Sequence, residues 1–156
     1  MDSGIVLRFY ITGIGWMRMV VEVGRRRVDF EFSDVRDGLP QIIDALIALC
    51  RDKKCEVIEF ELEPDELVLR LEWLCGNISI IIGDSVLIFD DWRQKNPRIQ
   101  LEYTNNSDSI VHAFYQATID LIEKHGLDGV NNKWDTSKIS KEQLGILRNM
   151  VESRLC

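Results

Sequence analysis

Between Ile5 and Tyr103, segment after segment alternates apolar and polar residues with a period of two. That alternation is the strongest constraint on the fold. A strand sends successive side chains to opposite faces, so a run with one apolar and one polar parity is a strand with a dry face and a wet face. Ile5 to Thr12 reads this way, and Gly13-Ile14-Gly15 allows a turn or a bulge after it. From Trp16 to Val23, Met17, Met19, Val21 and Val23 share one face, with Arg18, Val20 and Glu22 on the other. Beyond a turn at Gly24, Val28, Phe30 and Phe32 alternate with Asp29 and Glu31.

One helical stripe interrupts the pattern. Leu39, Ile42, Ile43, Leu46, Ile47 and Cys50 recur at helical spacing. Asp37 is placed to cap this helix and Pro40 suits its first turn. Alternation then resumes in a hairpin. Ile58, Phe60 and Leu62 face Leu67, Leu69 and Leu71 across a turn at Glu63-Pro64-Asp65-Glu66, with Pro64 in its second position. Pairing Leu62 with Leu67 sets Glu59 opposite Arg70 on the wet face, a favourable cross-strand pair. Further strands are expected at Ile78–Ile82, after a turn at Gly76-Asn77, at Val86–Phe89, and from Arg98 to Tyr103.

The last third changes period. Ser107 or Asp108 can cap a helix whose inward residues include Ile110, Val111, Phe114, Ala117 and Leu121, ending near Gly126. Residues 126–139 read as a polar loop holding Trp134. Ser140 with Gln143 forms a capping box for a terminal helix striped by Leu144, Leu147, Val151 and Leu155. The expectation is one α+β domain over residues 1–156. It has an antiparallel meander of about six to seven strands, one helix packed on it after the N-terminal strands, and a helical extension of two helices over 106–156.

With 156 residues, 46% of them hydrophobic, the chain suits a single core. No apolar run approaches the roughly 20 residues that span a bilayer, and the first residues do not resemble a signal peptide. Of the four cysteines, Cys50 and Cys75 sit among apolar residues and read as buried free thiols; reduced thiols suit the cytoplasm. No CxxC pair occurs and His112 and His125 lie far from any cysteine pair, so neither a zinc site nor another cofactor is expected. The two histidines are thirteen residues apart, which is not a helical metal spacing. No nucleophile elbow, P-loop or dinucleotide fingerprint is present, and Asp90-Asp91, as strand neighbours, would point to opposite faces. An enzyme is not expected.

Charge is the informative property. The net charge is −7, and residues 29–91 alone hold sixteen acids against five bases. Such a surface repels nucleic acid and attracts basic proteins. The basic triplet Arg25-Arg26-Arg27 falls in a hairpin turn, where it is solvated. The expected partner-binding residues are Asp34, Asp37, Glu61, Glu63, Asp65, Asp90, Asp91 and Trp92, most of them in loops at strand ends. Trp92 and Trp134 beside polar residues suit an interface anchor; the alternative is that both fill gaps in or beside the core.

A Trp-containing strand pair leads into Phe30-Glu31-Phe32-Ser33-Asp34. The helix Asp37-Gly38-Leu39-Pro40-Gln41-Ile42-Ile43-Asp44-Ala45-Leu46 follows, then Glu63-Pro64 at a turn and Leu67-x-Leu69-x-Leu71. Over residues 16–90 this layout resembles small bacterial immunity-like families found at polymorphic-toxin and contact-dependent inhibition loci. The resemblance implies a protein that binds a cognate toxin domain and blocks its active site or its activation, without assigning particular residues. The expected partner is a basic protein such as that toxin domain, with no nucleic acid and no membrane, and the protein itself a monomer or homodimer. Two other classes remain open. One is an unrecognised small enzyme, with His112 in a pocket or several carboxylates converging. The other is a self-associating structural domain with an exposed sheet edge.

Overall fold

The alternating segments form two antiparallel sheets. A computed structural model describes residues 4–34, 36, 38–134 and 138–153. The first sheet holds Ile5–Gly13 (β1), Trp16–Val23 (β2) and Arg26–Ser33 (β3), in that order. Leu39–Asp52 (α1) follows. The second sheet holds Cys55–Glu61 (β4), Glu66–Leu74 (β5), Asn77–Gly83 (β6) and Ile99–Asn106 (β7), again in chain order. Ser107–His125 (α2), Leu127–Asn132 (α3) and Lys141–Ser153 (α4) complete the described chain. The α+β class and the seven strands match the reading of the sequence. The meander, however, is divided in two where α1 intervenes.

β3 lies across the second sheet without joining it. Near its start, the Arg26 guanidinium donates to the Glu102 carbonyl of β7, at one edge. Beyond its end, the Ser33 hydroxyl donates to Glu63, past the opposite edge strand β4. The inner faces of both sheets therefore meet. Phe32 and Phe60 pack with tilted rings, centroids 4.7 Å apart, and Phe30 lies 5.2 Å from Phe60. One core cluster draws on every strand and all four helices. The C-terminal helices are thus part of the core and no mere extension of it. The predicted inward residues Met17, Met19, Val21, Phe32, Ile42, Ile43, Leu46, Ile58 and Phe60 are all buried.

The β4–β5 hairpin corrects the expected register. Phe60 faces Leu67, Ile58 faces Leu69, and Val57, not Glu59, faces Arg70. The four-residue turn starts one residue earlier, at Leu62, whose N–H donates to the Asp65 carbonyl at 2.7 Å. Glu63 takes φ 46°, and Pro64, after a cis bond, occupies the third position of the turn instead of the second. The observed and expected pairings differ by two residues, so both put the same side chains inward. Hydrophobic alternation is blind to such a shift; only the turn geometry distinguishes the two.

Other local differences have local causes. Val86–Phe89 is not a strand: the Asp84 carboxylate accepts from the Val86 N–H and starts a 3-10 turn over Ser85–Ile88. The β5–β6 turn is Cys75-Gly76, both at positive φ, and it leaves Cys75 exposed instead of buried. Cys50 is buried as expected, but it is disulfide-bonded and not the free thiol expected. Asn106 caps α2 one residue before the expected positions, accepting from Ser109 N–H at 2.8 Å. Residues 127–132 of the expected polar loop are the short helix α3.

Gly38 begins α1, and Asp37, expected as its cap, lies outside the described residues. Gly38 has φ 60°, and a Cβ there would sit 2.6 Å from the Trp134 ring and 2.9 Å from the Phe32 ring. Both the backbone and the space require glycine. Trp134 is itself buried, edge-on to Phe32, so of its two readings the core plug is the one observed.

Candidate interaction surface

The outer face of the second sheet is the most unusual surface of the molecule. β4 presents Glu59 and Glu61 on it, and β5 presents Glu66, Val68, Arg70 and Glu72. Residues 84–98 fold back over this face as a flap. Leu87 and Trp92 from the flap pack on Val68, Ile81 and Val57, a small apolar cluster separate from the main core.

Arg70 holds the flap down. Its side chain is 5% exposed. Nε donates to Glu72 at 2.6 Å, Nη1 donates to the carbonyls of Leu87 and Phe89 at 2.9 and 3.3 Å, and Nη2 lies 3.5 Å from Asp90. Burial opposes the guanidinium charge, but the hydrogen bond to Glu72 and nearby groups outweigh it, and the Arg70 pKa is raised. The Trp92 indole N–H donates to the same Glu72 oxygen at 3.2 Å. At the flap's stem, Asp84 and Arg98 exchange hydrogen bonds: the Asp84 N–H donates to the Arg98 carbonyl, and the Arg98 N–H to the Asp84 carboxylate, both at 3.1 Å. Gly83 permits this closure, since a Cβ there would lie 2.4 Å from the Arg98 oxygen. Burial pushes the neighbouring Cys55 thiol pKa up, so that half-buried cysteine is not an activated nucleophile.

The sequence-predicted contact residues fall into two groups. Asp34, Glu61, Glu63 and Asp65 gather where the β3 exit meets the β4–β5 turn, joined by the Ser33–Glu63 hydrogen bond. Asp90 and Asp91 lie on the flap, fully or largely exposed. Glu61 and the flap share the outer face of the second sheet, which links the groups. Trp92 is 2% exposed. It anchors the flap to its own sheet, and the expectation of an exposed Trp92 side chain is corrected. Asp37 lies outside the described residues.

Three kinds of residue in this surface were missed from sequence. Arg36 bridges Glu59 and Glu66 at 3.4 and 3.5 Å, tying the segment after β3 to the hairpin. Arg70 had been given to a wet face that is in fact covered. Ile88 and Phe89, read as strand residues, are exposed on the flap. The shared parity of Glu59, Glu61 and Arg70 was the available signal; nothing local announced the flap.

A second feature lies along β1. This strand pairs only with β2, and beside its other edge runs α2. An open groove of about 490 Å³ between them is lined by residues 4–8 and by Ser109, His112 and Gln116, and a neighbouring one of about 660 Å³ also includes Ser109 and His112. His112 is therefore at a concavity, as an enzyme would require. Asp108, Ser109 and Glu152 line the neighbouring groove with it. Among the described residues, no group of three His, Cys, Asp or Glu side chains is placed to hold a metal ion, and no helix is long and apolar enough to cross a membrane.

No family model matches the chain, and neither curated proteins nor solved structures provide a match.

Proposed function

We propose that this chain is a protein-binding module that captures a basic partner on its acidic outer face, and that it serves as an immunity protein neutralising a cognate bacterial toxin in the cytoplasm. The observation that carries the binding reading is the convergence of separate acidic loops. Glu61, Glu63 and Asp65 surround the β4–β5 turn, with Glu61 on the outer face, and Asp90 and Asp91 come from the flap over that same face, while Asp34 follows β3 with its carboxylate beside Gly15. Like charges repel, so their placement at one face destabilises the free protein slightly and favours a cationic partner. The immunity role rests on the resemblance of residues 16–90 and on the basic character of many toxic nucleases.

Co-purification with the product of the adjacent gene tests both parts. The expected outcome is a 1:1 complex and loss of the toxin's activity. Asp90→Lys with Asp91→Lys should weaken that complex by roughly tenfold. Unchanged affinity in the double variant removes the acidic face as the site, and absence of any complex removes the immunity role.

Self-association is a second reading with its own observation. β1 is a nine-residue edge strand that carries no proline and a single charge, Arg8, with Val6 and Tyr10 exposed. Sedimentation of the purified chain separates monomer from dimer.

A further inference from the structure

The flap covers the outer face of the second sheet, yet it turns only some of its apolar residues inward. Leu87 and Trp92 are buried, while Ile88 and Phe89 between them are 39% and 47% exposed. Ile99, just past the flap's stem, is 39% exposed as well. A loop whose only task was to seal the sheet would bury Phe89. Here both adjoining backbone carbonyls, of Leu87 and Phe89, are instead held by a buried arginine. Burying a guanidinium is costly unless its donors are satisfied, so the arrangement is an expensive way to fix a short stretch of surface backbone. The stem is closed independently by Asp84 and Arg98. Ile88-Phe89-Asp90-Asp91 is thus a rigid tip with two apolar side chains next to two carboxylates. Two cations lie near it: buried Arg70, 3.5 Å from Asp90, and Lys95, 3.9 Å from Asp91 and 4.9 Å from the Phe89 ring centre; Arg93 is occupied by Glu102 and by the Trp92 ring.

We infer that this tip is the central anchor of the interface, inserting Phe89 and Ile88 into an apolar socket that basic residues rim on the partner protein. The inference rests on the proposed capture of a basic partner and says where its binding energy concentrates. Charge complementarity selects the partner chemistry, because Asp90 and Asp91 follow the apolar pair with side chains 104% and 59% exposed, so a cationic rim gains ion pairs there that an acidic or wholly apolar surface does not. Preorganisation explains the clamp: a tip already fixed loses little conformational entropy on docking. Small clusters of buried aromatic anchors carry most of the energy in such interfaces, while the surrounding charges steer approach.

Two synthetic 15-residue peptides of equal charge test this, one of Lys and Leu and one of Lys and Ser. Each is titrated into the full-length, isotope-labelled protein while amide shifts are followed. The expected result is that both peptides move the amides of Glu61, Glu63 and Asp65, that only the Lys/Leu peptide moves Ile88–Asp91, and that Phe89→Ser with Ile88→Ser weakens the Lys/Leu peptide roughly tenfold without changing the Lys/Ser titration. If the acidic end responds while the flap tip is silent, or both peptides bind the tip equally, the anchor is overturned and the acidic-face reading stands. If the tip responds to the Lys/Leu peptide while Glu61, Glu63 and Asp65 do not respond to either, the anchor stands and the broad acidic face is overturned. Silence at both places overturns both.

Discussion

Asp29 illustrates how a residue read simply as the wet parity of a strand acquires a specific partner. It faces Val20 across the β2–β3 ladder, but diagonally it receives both Nε and Nη2 of Arg18, the former at 2.6 Å, and Arg27 at 3.2 Å. The hydrogen bonding from Arg18 holds its pKa down at about 2, with burial working in the opposite direction and Arg27 adding to the depression. The folded-state pKa is therefore below the unfolded one. The pair's contribution is present above about pH 4 and disappears as the pH falls through about 2. Because both side chains are substantially exposed, solvent screening keeps that contribution small. Comparing thermal unfolding of the native chain with Asp29→Asn should show a stability gap above pH 4 that closes by pH 2. A gap independent of pH would assign the loss to packing. The triplet at residues 25–27 changes in the same way. Arg26 reaches the Glu102 carbonyl of the second sheet and Arg27 pairs with Glu22 across the β2–β3 ladder, so both act as strand residues more than they decorate a turn.

At the scale of elements, α4 shows what a sequence motif contains and what it omits. Ser140 and Gln143 have capping-box spacing, and the Gln143 N–H does donate to the Ser140 hydroxyl at 3.0 Å. The reciprocal bond is not made. The Gln143 side-chain amide turns to α1, donating to the Pro40 carbonyl at 3.0 Å and to Asp44 at 2.6 Å. A local motif gives way to a bond that joins two helices about a hundred residues apart in sequence. Gln143→Ala should cost about 1–2 kcal/mol in urea unfolding. A double-mutant cycle with Asp44→Ala should return a coupling of about 1 kcal/mol. Zero coupling would return Gln143 to a purely local role. The β4–β5 hairpin makes the complementary point. Its faces were legible because burial follows parity, whereas its pairing was not, because registers two residues apart have the same parity.

For the whole molecule, charge distribution is the property that reaches furthest from the surface. If the acidic face captures a basic partner, association and not dissociation should carry the salt dependence. The association rate with the adjacent gene product should fall steeply between low and physiological ionic strength as the Debye length shortens from about 30 Å to about 8 Å. A salt-independent association rate, measured by stopped flow, would argue that the acidic face takes no part in capture.

The sequence alone determined the class of fold, the seven half-buried strands and three of the four α-helices of the described residues, and the acidic block, because each depends on periodicity or composition within a short window. Tertiary structure decided the rest. The division into two sheets depends on how β3 lies across β4 to β7, and no local pattern encodes that crossing. The covering of the outer face depends on Arg70 meeting carbonyls seventeen and nineteen residues away. A buried arginine and an exposed one look the same in a sequence, and so do a tryptophan that offers itself to a partner and one, like Trp92, that fastens a flap to its own sheet.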